Sequence, residues 1–125
     1  MKVNNDIETL FDQGLDHFNS DEYDEAIQKF SDVLTKNPDH PDAQYYMALS
    51  WANKGKSGRA ISEFTKAIEK DPDDTDALIG RGEVWQSKGK LKQALADFKK
   101  ALTMDPDNPD YKNRVYELEE KQNGA

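Results

Sequence analysis

A fixed period constrains this chain more than any other feature. Ala94, Phe98 and Pro106 follow Ala60, Phe64 and Pro72 by 34 residues, and those follow Ala26, Phe30 and Pro38 by the same interval. Self-similarity at such an interval marks a stacked array, in which no unit can bury its apolar face alone. Inside each period the apolar residues keep helical spacing. Ala26, Ile27, Phe30, Val33 and Leu34 form one stripe, and Ala60, Ile61, Phe64, Ala67 and Ile68 form the next. Each stripe ends before a proline, at Asn37-Pro38, Asp71-Pro72 and Asp105-Pro106, because the residue before proline avoids helical backbone. Pro41 and Pro109 stand at first helical positions, where a missing N–H costs nothing. Gly55 and Gly89 mark turns inside the second and third periods, and Asn5 or Asp6 is the expected cap of the first helix.

The pattern Gly82, Trp85, Ala94, Phe98, Pro106 resembles the tetratricopeptide repeat. The resemblance covers about four-fifths of the chain and implies an all-α fold, a right-handed α-solenoid of seven helices. It divides one domain, 1–125, into repeats 7–40, 41–74 and 75–108 and a capping helix, 109–123. The small residues Gly14, Ala48 and Gly82 are implied to pack closely on Ala26, Ala60 and Ala94. Positions that would meet a preceding repeat are polar in the first one (Thr9, Gln13, Asp16). Their counterparts are Ala43, Met47 and Ser50 in the second and Tyr111, Val115 and Leu118 in the tail. The stack is therefore expected to begin at residue 7, as a complete small protein. Arg81 departs from the pattern, and its stem is expected to pack while its guanidinium reaches solvent.

Composition fits a solenoid, which exposes much of its surface: 35% of residues are hydrophobic and 34% charged. The net charge of −8 disfavours nucleic acid and anionic lipid as partners. With no cysteine there is no disulfide framework, zinc cluster or thiol chemistry. The first residues lack an apolar run of signal-peptide or membrane length, so a cytoplasmic location is expected.

Motifs that resemble chemistry fail on spacing. Gly55-Lys56-Ser57 ends like a phosphate-binding loop, but Ser50 stands where the first glycine is needed, and helices flank it. The run from Asp71 to Asp76 has the composition of a calcium loop, yet Asp76 occupies the glycine position and Gly82 the final glutamate position. His17 and His40 have no serine, cysteine or second histidine at a telling spacing. No catalytic, cofactor-binding or metal-binding residue is nominated, and the chain is read as a non-enzyme without a cofactor.

The resemblance assigns partner binding to the concave face formed by the first helix of each repeat. Its partner-binding positions are Phe11, Asp12, Leu15 and Phe18 from repeat one. Repeat two supplies Asp42, Tyr45, Tyr46 and Leu49, and repeat three Asp76, Ile79 and Glu83. The tail is implied to add Asn113, Arg114 and Glu117. The aromatic and aliphatic members are expected to be free of the repeat's own core and so to form an interaction patch. The carboxylates make an acidic rim, so the implied ligand is an apolar peptide or helix flanked by Lys or Arg. Relatives that bind the acidic tails of heat-shock chaperones use a lysine, asparagine and arginine clamp, whereas the matching positions here hold Phe11, Leu15, Tyr46, Asp76 and Gly80. That ligand class is not expected. The alternatives are a homodimer or larger scaffold joined through the groove, and an accessory subunit docking through the basic turns at Lys54, Lys56, Arg59, Lys88, Lys90 and Lys92.

Overall fold

The computed structural model describes residues 6–124. Among them are seven α-helices: α1 (Ile7–Asn19), α2 (Tyr23–Lys36), α3 (Pro41–Asn53), α4 (Ser57–Lys70), α5 (Thr75–Ser87), α6 (Leu91–Met104) and α7 (Pro109–Asn123). Every helix packs on its neighbours in sequence. In addition, α1 touches α3 and α3 touches α5, whereas α2 and α4 make no comparable contact. α1, α3 and α5 therefore crowd together while α2 and α4 splay apart, which curves the stack with α1, α3 and α5 on its inner wall.

The period reappears in the caps. Asp6, His40, Asp74 and Asn108 each accept from the backbone N–H three residues on, at 2.7, 3.0, 3.2 and 3.1 Å. Each bond satisfies one of the orphan donors of a helix start. Asp6 is thus the cap of α1, and Asn5 lies outside the described residues. The turns inside the pairs repeat as well, with φ of 77° at Gly55 and 76° at Gly89. In the first pair Asp21 takes that left-handed conformation at φ 60°, and its carboxylate accepts from the Tyr23 hydroxyl at 2.8 Å. Short polar side chains tolerate the region better than others do.

Ala26, Ala60 and Ala94 and the rings of Phe30, Phe64 and Phe98 are fully buried. Gly14 and Gly82 are small on account of these rings. A Cβ on Gly14 would stand 2.5 Å from the Phe30 ring, and one on Gly82 would stand 2.5 Å from Phe98. The second pair has Ala48 at this place, and there the close approach is made by Gly80 of the following helix, whose Cβ would stand 2.5 Å from Phe64. One glycine per ring is kept, but on alternate sides. At the end of the stack Tyr111, Val115 and Leu118 of α7 are buried against α6, whereas Tyr116, in the register of Gly82, is 62% exposed.

Arg81 corrects the expectation of a solvent-seeking guanidinium. Its Nε and Nη2 donate to the two carboxylate oxygens of Asp97 at 2.9 and 2.7 Å, and its Nη1 donates to Thr65 Oγ1 at 3.1 Å. Asp97 is buried. One side chain therefore ties α4, α5 and α6 together in planar two-pronged geometry. A second buried polar group lies within the middle pair. Gln44 Nε2 donates to the buried Glu63 at 3.1 Å, Lys66 pairs with Glu63 at 3.2 Å, and Lys70 donates to Gln44 Oε1 at 2.6 Å. Burial pushes the Lys70 ammonium below its ordinary pKa, partly offset by Asp39 and Glu63.

Candidate functional site

The inner wall carries the residues nominated from sequence. Phe11, Leu15 and Phe18 of α1, Tyr45, Tyr46 and Leu49 of α3, and Ile79 of α5 are all half-buried. Asp12, Asp42, Asp76 and Glu83 are exposed. The rings are not free of the core, contrary to expectation. Tyr46 stacks on Phe30 with centroids 5.9 Å apart, and meets Phe11 and Phe18 edge-on at 6.0 and 5.5 Å. Phe11 also lies 5.7 Å from Phe30 and 5.1 Å from His40. Tyr45 leans on Tyr46 at 5.2 Å and on Phe64 at 5.9 Å. Half-burial follows directly: one face of each ring coheres with the core, and the other is left to the groove.

The charges divide into two groups. Asp12, Asp42 and Asp76 take part in no ion pair among the described residues. Glu83 does not belong with them, because Arg114 of α7 reaches it at 2.8 Å while also holding Asp110 at 3.0 Å. The rim is thus acidic at its first three carboxylates and neutralised at the fourth. Its field is felt by Tyr45, whose hydroxyl is pushed up to about 12 by burial and by the nearby carboxylates of Asp76, Asp74 and Glu83.

The groove is not uniform along its length. Tyr46, Gly80 and Arg114 hold the same register in α3, α5 and α7, and each faces the buried phenylalanine of the preceding helix. Tyr46 covers Phe30 with a ring, and Arg114 covers Phe98 with its guanidinium, 5.5 Å from the centroid. At this register over Phe64 stands the backbone of Gly80, with Tyr45 meeting the ring from its edge at 5.9 Å. Beside it opens a hollow of about 220 Å³, walled by Leu49 and Ala52 of α3 and Gly80, Glu83 and Val84 of α5, with Asn53, Ser57 and Ser87 at its rim. Val84 and Phe64 were not nominated from sequence. The available signal was the pair of glycines, Gly80 and Gly82, within one helix.

The basic turns are partly spent inside the molecule. Lys54 pairs with Asp24, and the cations of Lys54 and Arg59 lie 5.2 and 4.4 Å from the Trp51 ring centroid. Lys56, Lys88, Lys90 and Lys92 remain exposed. His17 is held by Glu22, with Nδ1 2.8 Å from Oε1.

The tetratricopeptide repeat model matches residues 11–74 and 52–109, most of the chain. The protein belongs to the tetratricopeptide repeat family. Solved structures agree. The first tetratricopeptide domain of Spaghetti (RPAP3), bound to the HSP90 peptide SRMEEVD, is 23% identical with a TM-score of 0.86, over 93% of this chain and 92% of that one. The type III secretion chaperone SycD of Yersinia enterocolitica, in complex with a peptide of the translocator YopD, is 15% identical with a TM-score of 0.86, over 93% and 94%. The tetratricopeptide domain of Arabidopsis OM64 is 22% identical with a TM-score of 0.84, over 90% and 93%. Among curated proteins none matches the chain. The fold is thus the α-solenoid expected from the period, that of a protein–protein interaction module. No helix among the described residues is long and apolar enough to cross a membrane.

Proposed function

We propose that this tetratricopeptide repeat protein is a non-enzymatic adaptor that holds an apolar, basic-flanked peptide or helix on its inner wall. The observation that carries the reading is the composition of that wall. Half-buried Phe11, Leu15, Phe18, Tyr45, Tyr46, Leu49 and Ile79 stand beside Asp12, Asp42 and Asp76, three carboxylates with no cationic partner among the described residues. Rings already fixed on one face offer contact area at little entropic cost. Unpaired carboxylates at the rim steer a cationic ligand and set its orientation more than they add affinity. Two relatives of this fold hold peptides, as RPAP3 does SRMEEVD and SycD a YopD segment.

The same wall argues against an acidic ligand. Where the resemblance places a cationic clamp, this chain has Phe11, Leu15, Tyr46, Asp76 and Gly80. Selection from a displayed random-peptide library tests the reading. Enrichment of apolar cores flanked by Lys or Arg is expected, and Asp12→Lys with Asp42→Lys should abolish it. Enrichment of peptides with acidic carboxyl termini, or binding of SRMEEVD itself, would overturn the reading.

A further inference from the structure

The hollow beside Gly80 is too small for a whole ligand. Pockets for small molecules run to about 300–1,000 Å³, and this one is about 220 Å³, open to the groove and floored by Gly80 backbone over Phe64. Its size suits one side chain. Leu49, Ala52 and Val84 make its walls apolar, so an aliphatic or aromatic group gains by entering it.

One turn away the chemistry changes. Asp76 precedes Gly80 by four residues on α5, which places the two on one helix face about 6 Å apart. Asp76 has no ion-pair partner among the described residues, and its charge bears on the Tyr45 hydroxyl. At the opposite rim of the hollow, the Glu83 charge is met by Arg114. A cation on the ligand therefore finds its complement on the Asp76 side alone. Alternate side chains of an extended segment lie about 7 Å apart on one face, matching that step. Asn53, Ser57 and Ser87 line the rim with groups that can bond a main chain, and an extended segment, unlike a helix, has main-chain groups unspent.

Deepening the adaptor reading and resting on it, we infer that the hollow takes one apolar side chain of an extended partner segment whose Lys or Arg, two residues away, pairs with Asp76. The groove so read has two adjacent subsites in fixed order, an acidic one at Tyr45 and Asp76 and an apolar one at Gly80. Selectivity is set by their spacing as well as by composition.

The probes are synthetic blocked heptapeptides with Gly and Ser flanks around Leu-Ser-Lys, Leu-Ser-Glu, Leu-Lys-Ser and Ser-Ser-Lys. Each is titrated into the ¹⁵N-labelled full chain while backbone amides are followed. Leu-Ser-Lys should shift the amides of Leu49, Gly80 and Val84 and bind about tenfold more tightly than any of the other three, a margin of about 1.4 kcal/mol. Ala52→Leu, which fills the hollow from its wall, should abolish those shifts. Asp76→Asn should erase the preference for Lys over Glu and leave the Leu contribution intact. Equal binding of Leu-Ser-Lys and Leu-Lys-Ser, or unaltered binding by Ala52→Leu, would overturn the two-subsite order. Shifts confined to Phe11, Leu15 and Phe18 would overturn the hollow and leave the adaptor reading standing. If no inner-wall amide moves with any peptide, both fall.

Discussion

The junction between α2 and α3 and the junction between α4 and α5 occupy the same place in successive repeats, yet two adjacent residues make them opposites. At the first, Tyr46 stacks on Phe30 and Met47 is buried among aliphatic and aromatic neighbours. At the second, Gly80 puts no side chain at the place Tyr46 fills in the first, and Arg81 clasps Asp97 and Thr65. The first junction is closed by rings. The second is held by a polar clasp at the helix interface and left open on the groove side. The repeat dictates where helices go, and two substitutions within it decide whether a junction contributes cohesion or a binding hollow.

The clasp gives the largest test of this contrast. A carboxylate buried like Asp97 is tolerable only while its partner is present. Arg81→Met, which copies the first junction, should destabilise the protein by about 3–5 kcal/mol because Asp97 is left buried and unpaired. Adding Asp97→Leu should restore stability to about the original level or above it, since an apolar replacement of a buried pair is often neutral or stabilising by about 1–4 kcal/mol. Urea midpoints of the two variants measure this. A neutral single variant would remove the clasp from the comparison.

At the first junction the corresponding deletion is Tyr46→Ala. It strips the cover from Phe30 and ends ring contacts with Phe11, Phe18 and Tyr45. The loss should be about 2–3 kcal/mol, below the 3–5 kcal/mol of a fully buried aromatic because one ring face already meets solvent. Thermal unfolding followed by circular dichroism reads it, and a change below about 0.5 kcal/mol would mean the rings belong to the groove alone.

The alternating glycines allow a sharper experiment. Gly80→Ala places a Cβ 2.5 Å from the Phe64 ring, while Ala48 blocks the route by which Phe30 and Phe98 lean toward Gly14 and Gly82. The clash should outweigh the helical advantage of alanine, leaving a net cost of about 1–2 kcal/mol. Ala48→Gly alone should cost about 1 kcal/mol as a helix-interior glycine. Together they should cost less than their sum by about 1 kcal/mol, because the ring can now move toward position 48 as it does in the other two pairs. Strict additivity in the double-mutant cycle would show that Phe64 does not choose between the two sides.

Most of the fold was legible because it depends on the period. Pro38, Pro72 and Pro106 end helices at one interval, and Ala26, Ala60 and Ala94 mark one contact, so helix order and pairing follow from spacing. That Phe11, Tyr46 and Ile79 lie on the first helix of each pair follows from the same spacing. What spacing does not carry is the identity of a side chain's partner in another repeat. Nothing local to Arg81 names Asp97, 16 residues away. Nothing local to Glu83 names Arg114, a residue of the tail helix. Gly80 read as one more groove position, although a glycine there alters what lies over Phe64. The ring cluster was missed in part because half-buried aromatics look alike in sequence whether they serve the core, the groove or both.

The smallest contrast lies in the caps. His40 caps the helix after the first junction and Asp74 the helix after the second, each accepting from the N–H three residues on. Burial, reinforced by Asp76 and Asp71, raises the Asp74 carboxyl above its ordinary value, against the lowering effect of its bond from Ala77. A carboxyl whose pKa is raised on folding binds protons more readily in the native than in the unfolded state. Its ionised form therefore subtracts stability at neutral pH, and that deficit disappears as pH falls through the native pKa toward the ordinary value near 3.9. Asn108 already caps α7 through its amide oxygen, so Asp74→Asn keeps the cap and removes only the titration. The variant should be slightly more stable than the parent at pH 7, and the gap should close on acidification toward pH 4. The effect stays small because the group is in good part solvated. Parallel urea titrations of parent and variant across that range decide it. A gap that widens with acid would mean that the bond to Ala77, and not burial, governs Asp74.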